Sequence, residues 1–277
     1  MPIAFDHLVH FITASPQQAV NQMSQLGLHS VVGGRHENWG TINALSYFDI
    51  SYIEFLSLEH PDVAEGAREY GLIDQLLRDL PNGEGMGTIA LRTSNIEQAK
   101  QHLINQGVQI CGPFPGSRKR SDGKVIRWKM LFLRKETAGL PLPFLIEWEQ
   151  MDEERRSDLT QHHIISSHPA GELKLDYVAF AVNDLDSSIR EWRNCFALSA
   201  GAPYIQEEWN ATCQLLHVTG GNLLFCQPNG EGIVSEVLDT RGERPFLVNL
   251  SGAGNPREHQ LFGSIYRLIQ SNYCKIR

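Results

Sequence analysis

The chain has no apolar run approaching the ~18 residues that a membrane-spanning helix requires. Its opening, Met1-Pro2-Ile3-Ala4-Phe5-Asp6, lacks the basic flank and apolar block of a secretion signal, so a cytoplasmic setting without membrane partners is expected. Cysteine is sparse. The five (Cys111, Cys195, Cys213, Cys226 and Cys274) are odd in number and form no CxxC pair, which argues against a disulfide framework and a zinc ribbon. Positive charge is also short: 24 Lys and Arg against 32 Asp and Glu leave a net charge of -8, without the basic footprint that nucleic-acid phosphates need. The exception is local. Arg118, Lys119, Arg120, Lys124, Arg127 and Lys129 crowd one hairpin against Asp122 alone.

What is present is ordinary globular material. With 42% hydrophobic and 20% charged residues over 277 positions, the chain can bury a sizeable core and is long enough for two domains. Phe5 to Ile12 reads as a strand, followed by a helix over roughly Pro16 to Leu26 that stops at Gly27. A turn at Gly33-Gly34-Arg35-His36 and two runs, Thr41 to Phe48 and Tyr52 to Leu58, complete a β-α-β-β-β pattern. A connecting helix is expected from Val63 to Leu80. The pattern then returns: a strand over Gly87 to Thr93, a helix starting at Ser94-Asn95-Ile96-Glu97, a hairpin turned at Asp122-Gly123, and a last strand over Pro143 to Trp148.

Residues 151–170 are polar and read as a linker. A third unit begins at Leu175 to Val182, and a strand over Pro245 to Leu250 followed by a helix from Pro256 to Ile269 reads as half of a fourth. The expected organisation is therefore two paired modules (1–80 and 81–150), a linker, and a structural third module with a βα half-module (171–277). The fold class is α+β, with repeated βαβββ modules curling into cupped, open-barrel mixed sheets around a cavity.

The phrases Asp6-His7-Leu8-Val9-His10-Phe11, Gly33-Gly34-Arg35-His36, Gly40-Thr41-Ile42-Asn43-Ala44-Leu45 and Tyr52-Ile53-Glu54-Phe55-Leu56 resemble the glyoxalase-like branch of the vicinal oxygen chelate superfamily. The resemblance implies a divalent metal (iron, manganese, nickel or zinc) held by first and last strands, with His7, Glu54 and Glu147 as ligands. Thr88 falls at the fourth position, where histidine or glutamine is common. In the third unit Asp176 and Phe225 take the ligand positions. Pairing of modules within or between chains leaves a homodimer open.

Glu54 and Glu147 also stand out by themselves, because carboxylates in apolar strands are seldom buried unless paired, protonated or metal-bound, whereas a lone His7 in an apolar strand reads equally as a packed core histidine. His10, three residues from His7, is expected on the opposite face of the strand. His36, Asn43, Arg92, Arg127 and Lys129 are candidate substrate-binding residues, the last two sharing one strand face and suiting an anion if that face is concave. The leading expectation is a metal-dependent lyase or isomerase acting on a small oxygen-rich, anionic metabolite, with Glu54 or Glu147 as general base. Two alternatives stand beside it. One is a metal-free binding protein with a cavity lined by Phe11, Tyr47, Phe55 and Trp128, and the other is an extradiol-type dioxygenase using His36 as a further ligand.

Overall fold

The computed structural model describes residues 2–120, 123–134 and 139–271. The first unit comprises β1 (Ala4–Phe11), α1 (Pro16–Gln25), β2 (Val31–His36), β3 (Thr41–Phe48) and β4 (Ser51–Leu58). Helix α1 starts where the sequence directs. Ser15 accepts from the Gln18 N–H while the Gln18 side chain reaches back to the Ser15 N–H, a reciprocal cap that satisfies two free donors. Ala19 and Met23 then face the core.

Two helices, α2 (Pro61–Gly66) and α3 (Gly71–Asp79), replace the single connecting helix expected over 63–80, with Gly66 and Gly71 marking the break. The second unit contains β5 (Gly85–Arg92), α4 (Ile96–Asn105), β6 (Gln109–Lys119), β7 (Val125–Arg134) and β8 (Phe144–Trp148). The cap of α4 is Asn95, which accepts from the Gln98 N–H, rather than Ser94. Of the expected hairpin turn, Asp122 lies outside the described residues.

The stretch read as a linker carries α5 (Asp152–Gln161). Beyond it come β9 (Gly171–Ala181), α6 (Leu185–Phe196), the short β10 (Ser199–Ala200) and β11 (Tyr204–Gln206), β12 (Ala211–His217), β13 (Asn222–Pro228), α7 (Ile233–Arg241), β14 (Arg244–Ala253), β15 (Arg257–Leu261) and β16 (Ser264–Ile269). The helix expected over 256–269 is a hairpin instead. Leu261 pairs with Ser264, leaving Phe262 and Gly263 as a two-residue loop with φ of 47° and 70°, the geometry of a type I′ turn whose twist matches flanking strands.

The strands form two sheets. In the first, the order β2-β3-β4-β1-β5-β8-β7-β6 sets two βαβββ units back to back, with β1 parallel to β4 and β5 parallel to β8. This is the cupped arrangement of the vicinal oxygen chelate fold. In the second, β10-β12-β13-β9-β14-β16-β15 repeats the plan with a helix-free last unit, and β11 adds to β12.

One core lies between the sheets and beneath α1, α4 and α6, with Phe5, Leu8, Val178 and Phe180 among its members. A second fills part of the first cup, where Leu72, Ile73 and Leu76 of α3 pack on Val9, Phe11 and Ala90. The second cup is closed by its own side chains, among them Trp209, Phe246 and Val234 of α7. The β2 stretch corrects the expected turn at Gly33-Gly34. It is a strand with an irregularity between Val32 and Gly34, and Gly33 is there for space: a Cβ on it would lie 2.0 Å from Asn43 Oδ1.

His10 turns away from the first cup and joins the sheets. Its Nε2 faces the Phe262 carbonyl at 2.7 Å and so carries the proton, leaving Nδ1 to accept from the Tyr266 hydroxyl at 2.6 Å. Burial pushes its pKa down to about 4, against the upward pull of the Phe262 carbonyl and Glu84. The unfolded imidazole, near ~6.5, takes up the proton first as pH falls. This part of the stability is intact above that value and drains away toward about pH 4, a loss on the order of 3 kcal/mol. Removing the hydroxyl in Tyr266→Phe orphans a buried nitrogen and is expected to cost ~1–3 kcal/mol in urea unfolding at neutral pH. An unchanged midpoint contradicts the lock.

Candidate functional site

Strand alternation builds the cavity. On β1, His7 points into the cup along with Val9 and Phe11. On β4, Tyr52, Glu54 and Leu56 share that face, and on β8 Phe144, Ile146 and Trp148 do. β3 adds Asn43 and Leu45, β7 adds Trp128 and Met130, and Leu72 of α3 closes one side. His36, Arg118 and Trp39, the last on a short 3-10 turn over 37–39, stand at the rim. The result is a largely aromatic and aliphatic chamber, with about 500 Å³ of space between atoms when open solvent at its mouth is counted.

A polar chain crosses one wall. Asp6, with 0% of its surface exposed, meets His7 Nδ1 at 2.7 Å, the Trp148 Nε1–H at 2.9 Å, and Arg155 of α5 at 3.5 Å. Burial alone would push the Asp6 carboxyl up. The hydrogen bond from His7 and the charges of Arg155, His7 and Arg92 outweigh that and hold it below the ordinary value. An ionised Asp6 only accepts, so Nδ1 of His7 carries the proton and Nε2 faces the chamber, 3.6 Å from Glu54 Oε2. Glu54 Oε1 accepts from Asn43 Nδ2 at 2.5 Å, and Asn43 Oδ1 accepts from the Gly34 N–H at 3.0 Å.

His7 and Glu54 are 3% and 6% exposed, and the Tyr52 ring stacks on His7 at 4.5 Å between centroids. Burial, with help from Asp6, Tyr47 and Glu54, drives the Tyr52 hydroxyl well above its usual range. His36 donates or accepts at Thr41 Oγ1, 3.0 Å away, and burial lowers it to about 4 despite the opposing charge of Glu54, so its ring is neutral at neutral pH.

Of the expected site residues, His7, Glu54, His36 and Asn43 meet at this chamber. Glu147 does not. It sits between Ile146 and Trp148 and therefore points out of the cup, where its carboxylate accepts from the Ile96 N–H at the start of α4, at 2.7 Å. Arg92 is also elsewhere, tied to Asp152 and to the Phe5 carbonyl. Arg127 and Lys129 lie on the outer face of β7, their side chains 59% and 53% exposed, beside Glu149 and Glu147. Thr88 is buried but does not line the chamber.

Of the aromatic lining, Trp128 is present, Phe11 lies in the adjoining core, Tyr47 packs with Leu159, and Phe55 faces the inter-sheet core. Asp6, Tyr52 and Trp148 were not among the candidates, although Asp6 precedes His7 directly and Trp148 alternates with Ile146. Arg118 was visible only as one charge of a basic hairpin.

The donor set does not fit a resident metal of the expected kind. The expected trio is not brought together, His36 joins no cluster with the other two, and among the described residues no group of three or more His, Cys, Asp or Glu side chains stands ready to hold an ion.

A family model for the glyoxalase-like domain matches residues 5–196. The chain belongs to the glyoxalase-like family. No curated protein matches this glyoxalase-like chain in sequence. Among solved structures, a hypothetical protein from Staphylococcus aureus aligns with a TM-score of 0.77 at 21% identity, covering 97% of this chain and 99% of that one. A mutant of 4-hydroxymandelate synthase from Streptomyces coelicolor aligns at 0.60 and 10% identity, over 91% of this chain and 71% of that one. At these identities the likeness is one of fold.

The geometry of this glyoxalase-like site predicts that zinc or manganese titrated into dialysed protein shows no stoichiometric binding that Glu54→Ala abolishes. Calorimetry checks this, and one ion per chain lost in that variant would contradict it.

Proposed function

We propose that the protein is a proton-transfer enzyme of the lyase or isomerase class, acting on a small oxygen-rich molecule held in the first cup. The observation that carries the reading is the chain Asp6–His7–Glu54, which ends in two acceptors, His7 Nε2 and Glu54 Oε2, at the wall of a mostly apolar chamber. A substrate C–H beside a carbonyl would give its proton to one of these, and the same group would return it at that carbon or at a neighbouring one while the other stays unprotonated beside it. The ionised Asp6 supports the imidazolium that forms if His7 takes the proton, and it fixes the ring so that Nε2 stays available. Asn43 holds the Glu54 carboxylate in place. The aromatic walls keep water from competing for the proton. No step passes through a metal, because among the described residues no group of three metal-binding side chains converges here.

The abundance of aromatic wall also supports a second reading, a binding protein that sequesters its ligand without reaction. The two separate on exchange of substrate C–H for deuterium in D2O, followed by proton NMR over a panel of small 2-oxo and 3-oxo acids. The enzyme reading predicts protein-dependent exchange that falls at least ~100-fold in Glu54→Gln, a variant that retains an oxygen for Asn43. Exchange that persists at the wild-type rate in the variant, or none across the panel, contradicts it.

A further inference from the structure

Two cavities meet at one neck. The chamber holding His7 and Glu54 shares His36, Trp39, Arg118 and Trp128 with an outer groove, which has about 1750 Å³ of empty space counted to open solvent. The groove runs between β2 and β6, the two edge strands of the first sheet. Glycines keep its walls thin: a Cβ on Gly116 would lie 2.2 Å from Trp128 Nε1, and Gly34 has only the Arg118 side chain within 4 Å of such a position.

Among the described residues, positive charge at this neck comes from Arg118. Arg118 is the one guanidinium among the described residues that lines the inner chamber, and its field reaches His36 and Tyr47. The groove's other guanidinium, Arg35, is engaged by Glu59 at 2.7 Å. His36 is neutral, and Glu37, an exposed acid of the groove, is the opposing charge on the outer side. On the inner side Glu54 is held by Asn43. Arg127 and Lys129, the sequence candidates for anion binding, cannot serve here because they face solvent.

We propose that the protein's ligand carries an anionic group, a carboxylate or a phosphate, which Arg118 grips at this neck. The apolar body of the ligand lies inside against Trp39, Trp128 and Trp148, and any extension beyond the anion runs out into the groove. A guanidinium fork matches either anion in two parallel hydrogen bonds, and the low-dielectric walls strengthen the pairing. This deepens the proton-transfer reading, on which it rests for placing the reacting part of the ligand inside, but its test reads binding alone.

Three tryptophans line the chamber, so quenching of intrinsic fluorescence reports occupancy. Phenylacetate, benzyl phosphate and neutral phenylacetamide are titrated into the wild-type protein, Arg118→Met, Arg118→Lys and Glu54→Gln. At least one anion should bind the wild type ~10-fold or more tighter than the amide, the tighter of the two identifying the group. Arg118→Met should lose that preference with the amide unchanged, which also shows that the chamber is folded, and Arg118→Lys should keep part of it. A wild-type preference retained in Arg118→Met, or no anion preference in the wild type at millimolar ligand, overturns the proposal. If Glu54→Gln keeps the preference while deuterium exchange is absent throughout, only the proton-transfer reading falls. If exchange is present and the preference absent, only this one does.

Discussion

A carboxylate with no exposed surface must be paired or it does not stay charged. Asp6 meets that condition with His7, Trp148 and Arg155, and in doing so it joins β1, β8 and α5 at one point. Arg155 also lies over the Trp148 ring at 4.1 Å, so α5 closes that end of the cup through both charge and stacking. The consequences run inward. The ionised acid selects the His7 tautomer, the tautomer turns Nε2 toward the chamber, and Glu54 is held opposite it by Asn43.

The second sheet shows what the same plan looks like without this interaction. Phe5-Asp6-His7 on β1 matches Leu175-Asp176-Tyr177 on β9, and strand register pairs His7 with Tyr52 and Tyr177 with Asn222. Glu54 therefore corresponds to Leu224, and His7 to Tyr177, one position from the Asp176 and Phe225 expected from the sequence. The acid survives, bonded to Asn249 at 2.9 Å, but the imidazole and the carboxylate are gone and an apolar core takes the place of a chamber. The second sheet supports the first, with His10 bound between Tyr266 and Phe262 as one of the joints.

The repeat of strand and helix was legible because each unit opens with a buried strand and a capped helix, and the resemblance in Phe5 to Leu58 named the family. His7 and Glu54 were legible as well, through the family phrases that carry them and as ionisable residues in mostly apolar strands. What the sequence withheld was the facing of later strands. Ile146-Glu147-Trp148 and Arg127-Trp128-Lys129 alternate in character without saying which set points inward, and a shift of one residue exchanges the two faces. The structure gives the inward face to the aromatic set. The closing hairpin was misread because Ile265, Tyr266 and Leu268 satisfy a helical spacing about as well as a strand, and the turn at Phe262-Gly263 was the overlooked signal.

The central claim is that Asp6 fixes His7 with Nδ1 protonated and Nε2 presented to the chamber. Long-range nitrogen–proton NMR correlations of the His7 ring at neutral pH test it most directly. The account predicts a protonated Nδ1 and a bare Nε2, with that pattern disturbed in Asp6→Asn. A proton on Nε2 with Nδ1 bare would remove the base from the cavity wall and contradict it.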